Sequence, residues 1–276
     1  MHSGVVTTPF RTPTLPPATH TNTWLVGEGR FSVVDPASPY DDEHEQLVAL
    51  IQARLSRGEH VERLVLTHHH HDHVSGAVRL QQALQAIGHT VPIAAHRLTA
   101  ELLQREMTVD VLIEDGELLQ CGDTHIRALH TPGHAPGHLV FHNEQHGWMI
   151  AGDMVAGIGT ILLHPSEGDL GQYIDSLHRM SERSPTVLLP SHGPDLTEPK
   201  ALLGMYVAHR HMRTQQVRES LEQHGTQTAA EIAARVYAEL DPRFLPIAAL
   251  QLTTHLMWMH EHGLAAPDKE QMWRRA

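Results

Sequence analysis

The sequence predicts an α/β fold followed by a small all-helical unit. An apolar run at 61–66, rich in leucine and β-branched residues, leads straight into a polar turn and then a helical pattern. Short apolar strands recur up to residue 189, and several end in a glycine beside a histidine or aspartate. Beyond Pro199 only the helical period persists, over 201–223, 229–240 and 244–262, with Gly225 and Asp241-Pro242 as breaks. The expected division is an extended N-terminal arm over 1–20, an α/β domain over 21–199 and a helical domain over 200–276.

Each element has a local reason. Pro9, Pro13, Pro16 and Pro17 keep 1–17 extended. Residues 23–26 and 31–35 flank Gly27-Glu28-Gly29 and read as a β-hairpin. A helix over 41–57 has acids in its first turn and Leu47, Leu50, Ile51 and Leu55 on one face. The strand at 61–66 is followed by a helix over 77–87 that Gly88 stops. Residues 91–95 read as a strand and 96–105 as a helix. Short apolar runs over 109–130, split by Asp115-Gly116 and Cys121-Gly122-Asp123, read as a β-meander. Strands follow at 139–141 and 148–151, then a helix over 169–183 and a last strand of this domain at 187–189. Residues 263–266 close the tail as a short strand.

Composition narrows the function. The chain has 276 residues and a formal charge of −12, which argues against wholesale binding to nucleic acid. The acids and bases of 201–276 balance, and 244–262 lack Lys and Arg, so a DNA-reading helix is not expected. The lone Cys121 excludes an intramolecular disulfide. No basic-then-apolar leader and no run of 18 apolar residues occur, so a cytoplasmic protein away from membranes is expected.

The chemistry concentrates in Thr67-His68-His69-His70-His71-Asp72-His73-Val74-Ser75-Gly76. On an extended backbone His68 and His70 point the same way. Asp72 and His73 follow as the chain turns and can face a second point nearby. Imidazole and carboxylate are ordinary ligands for zinc and its neighbours. His69 and His71 fall on the other side, as supporting or solvent-facing groups. His134, Asp153 and His192 each follow a later strand, beside Gly133, Gly152 and Gly193. The set totals five imidazoles and two carboxylates, enough for two metals sharing a carboxylate and a water. His130 and His138, which flank His134, are candidates for support or proton transfer, and His164 for the cleft wall. Tyr173 and Ser176 read as structural. Arg210, Arg213 and Arg218 could touch an anionic substrate, but a solvated helix face is the expected reading.

These motifs resemble the metallo-β-lactamase superfamily. Residues 67–76 are similar to its HxHxDH signature, and Thr131-Pro132-Gly133-His134, Gly152-Asp153 and Ser191-His192-Gly193 to its later motifs, in order. Ser75 and Ala151 depart from the pattern without removing a ligand. The resemblance implies an αββα sandwich with a two-metal site at one edge. Carried over by position, His68, His70 and His134 hold one metal, Asp72, His73 and His192 the other, and Asp153 bridges. The tail and residues 22–27 resemble the β-lactamase-like protein 2 subgroup, whose C-terminal domain is a winged helix, with 263–266 as a wing strand.

The implied enzyme is a dinuclear metal-dependent hydrolase. A metal-bridging hydroxide, from water brought to a pKa of roughly 7, attacks a small ester, thioester or lactone. Asp72 is the expected catalytic residue, orienting the nucleophile's proton. The cofactors are two divalent ions, zinc by default, with iron or manganese also suited to these donors. A small molecule is the expected partner. The alternative is a metal-dependent endoribonuclease acting on single-stranded RNA, which the subgroup resemblance supports and the charge balance opposes. The apolar helical tail also offers a homodimer surface.

Overall fold

The structure, a computed structural model, describes residues 2–269 and 272–276. Two sheets lie face to face. In the first, β1 (Val5–Arg11), β2 (His20–Val26) and β3 (Arg30–Val34) run antiparallel. They continue into β4 (His60–Val65), β5 (Ile93–Ala95) and β6 (Val111–Leu112), which run parallel to β3 and to one another. The second sheet has the order β12-β11-β10-β9-β8-β7. Its strands are β7 (Leu118–Cys121), β8 (Thr124–His130), β9 (Leu139–His142), β10 (Trp148–Gly152), β11 (Val187–Pro190) and β12 (Leu196–Thr197).

Side-chain alternation explains the layering. Val34, Val65 and Ala94 face Phe141, Ile150 and Leu189 across the inter-sheet core. Their neighbours Val33, Leu64 and Ile93 face outward, onto Leu47 and Ile51 of α1 (Asp41–Leu55) and Leu80 and Leu84 of α3 (Ala77–Ala86). On the other side Val140, Met149 and Leu188 pack against Tyr173, Leu177 and Met180 of α5 (Leu170–Glu182). Strands buried on both faces must be apolar throughout, which is why they read as runs and not alternations. The layers are helix, sheet, sheet, helix.

The tail comprises α6 (Pro199–His224), α7 (Ala229–Val236), α8 (Leu245–Glu261) and a hairpin of β13 (Ala265–Pro267) with β14 (Trp273–Arg275). Val217, Ile232, Leu252, Leu256, Met259 and Trp273 form its core. A full capping box between Thr228 and Glu231 starts α7. Leu203 of α6 joins the core outside the second sheet, so the tail is anchored to the sandwich. No helix among the described residues is long and apolar enough to cross a membrane.

The structure refines several sequence expectations. Residues 5–11 of the N-terminal arm pair along the edge of the first sheet as β1. The stretch 109–130 is not one meander. Val111 and Leu112 add to the first sheet, and the chain crosses at Glu114-Asp115-Gly116 to form the β7–β8 hairpin in the second. Apolar runs this short do not say which sheet they join. Leu50 is 42% exposed, because the buried stripe of α1 runs through Leu47 and Ile51 and leaves Leu50 at its margin. The short strands β12 and β14 lie beyond those the pattern reveals.

Leu203→Ala tests the anchoring of the tail. Loss of this fully packed side chain is expected to cost about 2–5 kcal/mol, seen as a lower urea midpoint. An unchanged midpoint would mean that α6 contributes nothing to the stability of the sandwich.

Candidate metal centre

The centre is assembled where the strands of both sheets end. Past β4 the chain bends at Thr67 and reaches His70, whose extended φ/ψ of −66°/143° precedes the single turn α2 (His71–Val74). His68 and His70 therefore share one side, and Asp72 and His73 come round on the first helical turn. Two glycines permit the crowding. Gly133, at φ +127°, lies where a Cβ would sit 2.3 Å from the Tyr173 backbone. Gly152, at φ +54°, would place one 2.3 Å from His138 Nε2.

Each of the five imidazoles has one nitrogen fixed by an acceptor that can take only a hydrogen. His134 Nδ1 donates to the Leu162 carbonyl at 2.9 Å, and His192 Nδ1 to the His20 carbonyl at 3.0 Å. His73 Nδ1 donates to Asp35 Oδ2 at 2.9 Å, and His70 Nε2 to Glu167 Oε1 at 2.9 Å. The Thr67 hydroxyl donates to Asp35 Oδ2 and so accepts from His68 Nδ1 at 2.9 Å. The opposite nitrogens all point inward. His68 Nε2 and His134 Nε2 each lie 3.0 Å from His70 Nδ1. With their hydrogens committed elsewhere, these are three lone pairs turned toward one point. They repel unless a cation lies between them, and donors at about 2.0–2.1 Å from a tetrahedral ion would be spaced similarly.

A second group faces them. Asp72, His73 and His192 bring one ligand atom each within 4.8 Å of the others. His192 Nε2 is 3.6 Å from Asp72 Oδ2. Asp153 spans the two groups: Oδ1 lies 3.6 Å from His73 Nε2 and 3.4 Å from His192 Nε2, and Oδ2 lies 3.5 Å from His134 Nε2. His73 Nε2 and Asp153 Oδ1 are buried with no hydrogen-bond partner. Unpaired buried polar atoms are costly, so the residues fit a pair of metal ions and are poorly satisfied without them.

The two groups differ electrostatically. Burial, reinforced by neighbouring imidazoles, holds His68 well below the usual histidine range and His134 down to about 4. Burial alone would lower His73 as well, but the facing carboxylates of Asp153 and Asp72 hold it well above. His192 is raised by Asp153 against the same burial. His68 and His134, pushed toward the neutral form, thus face a carboxylate-bearing group whose histidines are shifted toward the protonated form.

The surrounding groups are now placed. His138 Nε2 accepts from the Asp153 backbone N–H at 3.0 Å, while its Nδ1 donates to Thr131 Oγ1 at 2.9 Å. Burial keeps it neutral, so it supports Asp153 and has no spare proton to transfer. His130 stacks on His96 at 4.1 Å, apart from the ligands. His69 donates to Glu167 Oε2 at 2.9 Å, and His71 is largely exposed. Tyr173 donates to the Met154 carbonyl and Ser176 to that of Pro132, both structural links. Asp35 and Glu167 are not marked by any sequence motif.

The superfamily profile described as "Metallo-beta-lactamase superfamily" matches residues 16–192. The chain belongs to this superfamily. The Drosophila melanogaster "Beta-lactamase-like protein 2 homolog" is 28% identical over 88% of this chain and 83% of its own length. An "Atrochrysone carboxyl ACP thioesterase" of Pseudocercospora fijiensis is 30% identical over 63% of this chain and 47% of its own. A "Hydroxyacylglutathione hydrolase" of Bdellovibrio bacteriovorus is 31% identical over 46% of each. The crystal structure of a beta-lactamase domain protein from Burkholderia ambifaria shares the fold, with TM-score 0.84, 22% identity, and coverage of 99% of this chain and 91% of that one. TTHA1623, solved in a di-iron-bound form, has TM-score 0.53 and 27% identity over 71% of this chain and 96% of its own. The protein is accordingly a metal-dependent hydrolase of the metallo-beta-lactamase superfamily.

A cavity of about 670 Å³ opens over the candidate ligands of this hydrolase. The loops over 13–18 and 158–162 form two walls, and the tail closes a third through His209, Arg210, Arg213, Phe244 and Ile247. His164 also lines it. This corrects the solvated-face expectation for two of the three arginines. Only Arg218 keeps it, paired with Glu222. Arg210 is 3% exposed, because positions 210, 213 and 217 share the inward face of α6.

Two outcomes follow. Asp35→Asn and Glu167→Gln, which weaken the acceptors behind His73 and His70, are each expected to lower metal affinity about 10–100-fold in competition with a chromophoric chelator. Unchanged affinity would remove these carboxylates from the centre. Zinc titration at pH 7 should release about one proton or more per chain, because His73 is protonated there and must lose that proton to ligate. Calorimetry in buffers of different ionisation enthalpy measures this, and zero release would contradict it.

Proposed function

We propose that the protein hydrolyses a small ester, thioester or lactone with two divalent ions. His68, His70 and His134 hold one, Asp72, His73 and His192 the other, and Asp153 is shared. The observation that carries the reading is the convergence of five oriented imidazoles and two carboxylates at the floor of a cavity with largely apolar walls. Bound there, such ions supply an activated water at neutral pH and polarise the electrophilic oxygen. Zinc is the default for nitrogen and oxygen donors without thiolate, and iron is kept in view by the di-iron-bound relative.

The chain's own residues do the rest. Asp72 lies partly open to the cavity, where an oxygen can take a hydrogen bond from the attacking water and orient it. His138, through the Asp153 backbone, fixes the carboxylate between the two groups. Leu162, Phe244 and Ile247 exclude water from the substrate's apolar part. The thioesterase and hydroxyacylglutathione hydrolase names of two relatives support acyl transfer to water. A net charge of −12 and walls on three sides favour a small substrate over an RNA strand.

The test is a panel of aryl esters, thioesters and lactones with zinc-, iron- and manganese-loaded protein, beside labelled single-stranded RNA. Asp72→Ala is expected to lower kcat/KM on the best acyl substrate about 10²–10⁴-fold. RNA cleavage abolished by Asp72→Ala, with no acyl substrate turned over, would replace this reading by the endoribonuclease one.

A further inference from the structure

The wall that the tail contributes is rich in hydrogen-bond donors that lack acceptors. Arg210 is 97% buried, and none of its nitrogens lies in an ion pair among the described residues. One Nη2 contact goes to the Ile161 carbonyl at 2.7 Å, and Nε is buried with no partner. Arg213, one turn on, donates through Nη1 to Gln216 Oε1 at 2.8 Å and to the Val236 carbonyl at 3.5 Å, and its Nε is again buried without a partner. From α8, Gln251 spends its oxygen on the Leu163 N–H at 2.9 Å, which leaves the buried amide Nε2 unpaired. All three residues line the same cavity as Asp72, His134 and Asp153.

A buried guanidinium with no counter-charge is among the costliest arrangements in a protein. Arg210 is such a group, Arg213 beside it is part-buried, and both are held in place regardless. Arg210 lies over the Tyr173 ring at 4.9 Å and Arg213 over the Tyr237 ring at 4.3 Å. With the rings against the guanidinium groups and the Nη donors only partly used, both Nε–H groups stay unpaired. The positive field is felt nearby: burial, aided by Arg210, His209 and Arg213, pushes His255 down to about 3. Fixed cations and unpaired donors without a protein acceptor call for an anion from the ligand.

We infer that Arg210, Arg213 and Gln251 form a carboxylate subsite, which holds an acid group at the end of the substrate remote from the metal centre. This rests on the acyl-hydrolase reading and adds the substrate class: an apolar ester or thioester with a free carboxylate. A carboxylate suits the donor count. Its two oxygens offer about four acceptor positions, in keeping with the unpaired N–H groups of Arg210, Arg213 and Gln251. A phosphate presents three oxygens and more charge than these few donors satisfy. Phe244 and Ile247 line the same cavity and would flank the intervening chain.

The test uses metal-loaded protein and a probe that is not turned over. Affinities for 4-phenylbutanoate, 4-phenylbutanamide and phenethyl phosphate are measured by calorimetry on the wild type, Arg213→Gln and Arg210→Lys. The wild type should prefer the carboxylate to the amide by about 10–100-fold, and Arg213→Gln should bring that ratio toward one. Arg210→Lys keeps the charge but loses the fork and should reduce the ratio in part. A carboxylate held by the metals would keep its advantage in Arg213→Gln, and that result overturns the subsite. So does a stronger preference for the phosphate. Should Arg210→Lys fail to fold, Arg213→Gln decides alone, since Arg213 is only part-buried. In parallel, the ratio of kcat/KM for an aryl ester with a terminal carboxylate to its neutral isostere should fall in Arg213→Gln, mainly through KM. If no acyl substrate is turned over but carboxylate binding depends on Arg213, the hydrolase reading fails and the subsite stands. If neutral and acidic esters are turned over alike by both proteins, the subsite fails and the hydrolase stands.

Discussion

The site depends on one buried carboxylate, Asp35. It follows β3 in a left-handed conformation, φ 49°, and is fully buried. Its Oδ1 accepts the Thr67 N–H at 2.7 Å, and its Oδ2 accepts the Thr67 hydroxyl at 2.7 Å and His73 Nδ1 at 2.9 Å. The Thr67 carbonyl in turn accepts the Leu139 N–H of the second sheet at 2.8 Å. A single side chain therefore fixes the start of the candidate ligand loop, the tautomer of His73 and the junction of the two sheets. A non-glycine residue in this backbone region costs of order 1 kcal/mol, which the three hydrogen bonds offset.

What the sequence shows of this site follows from distance along the chain. His68, His70, Asp72 and His73 are legible because strand and turn geometry act over a few residues. His134, Asp153 and His192 are legible because each follows an apolar strand beside a glycine. Asp35 is not, because its relation to His73 exists only once β3 and β4 pair in parallel, Val34 beside Val65. Glu167 sits in an irregular stretch before α5, and nothing local marks it. Arg210 and Arg213 read as solvated because charged residues on a helix are ordinarily exposed. Their placement on the face of Leu203, Val217 and Leu221 is a local signal of burial, and α8 and the 158–162 loop complete it. Local periodicity thus delivers the layers and the candidate ligands, whereas the groups that orient them belong to tertiary register.

The division between neutral and acidic halves gives the centre a directional character. In the first group His68 and His134, pushed toward the neutral form, can bind a cation without first losing protons. The other group carries Asp72 and Asp153, and its histidines hold protons in place of positive charge. Filling it exchanges those protons for metal, so its occupancy falls more steeply on acidification. Cys121, buried beside Ser32 with its thiol pushed up by burial, takes no part.

The tail contributes no candidate ligand, yet it is the part that gives the cavity its chemistry. The sandwich presents the metal groups at an edge where solvent would otherwise reach them. Through the Arg210–Ile161, Gln251–Leu163 and Thr254–Leu163 hydrogen bonds, the tail holds the loop whose Leu162 carbonyl orients His134. The same helices that select a ligand by its acid end therefore also set a ligand's tautomer. A change in substrate preference made on α6 or α8 is transmitted to the metal centre through three residues of one loop. Specificity and reactivity are for that reason not separable modules in this chain, although one lies in the helical tail and the other in the sandwich.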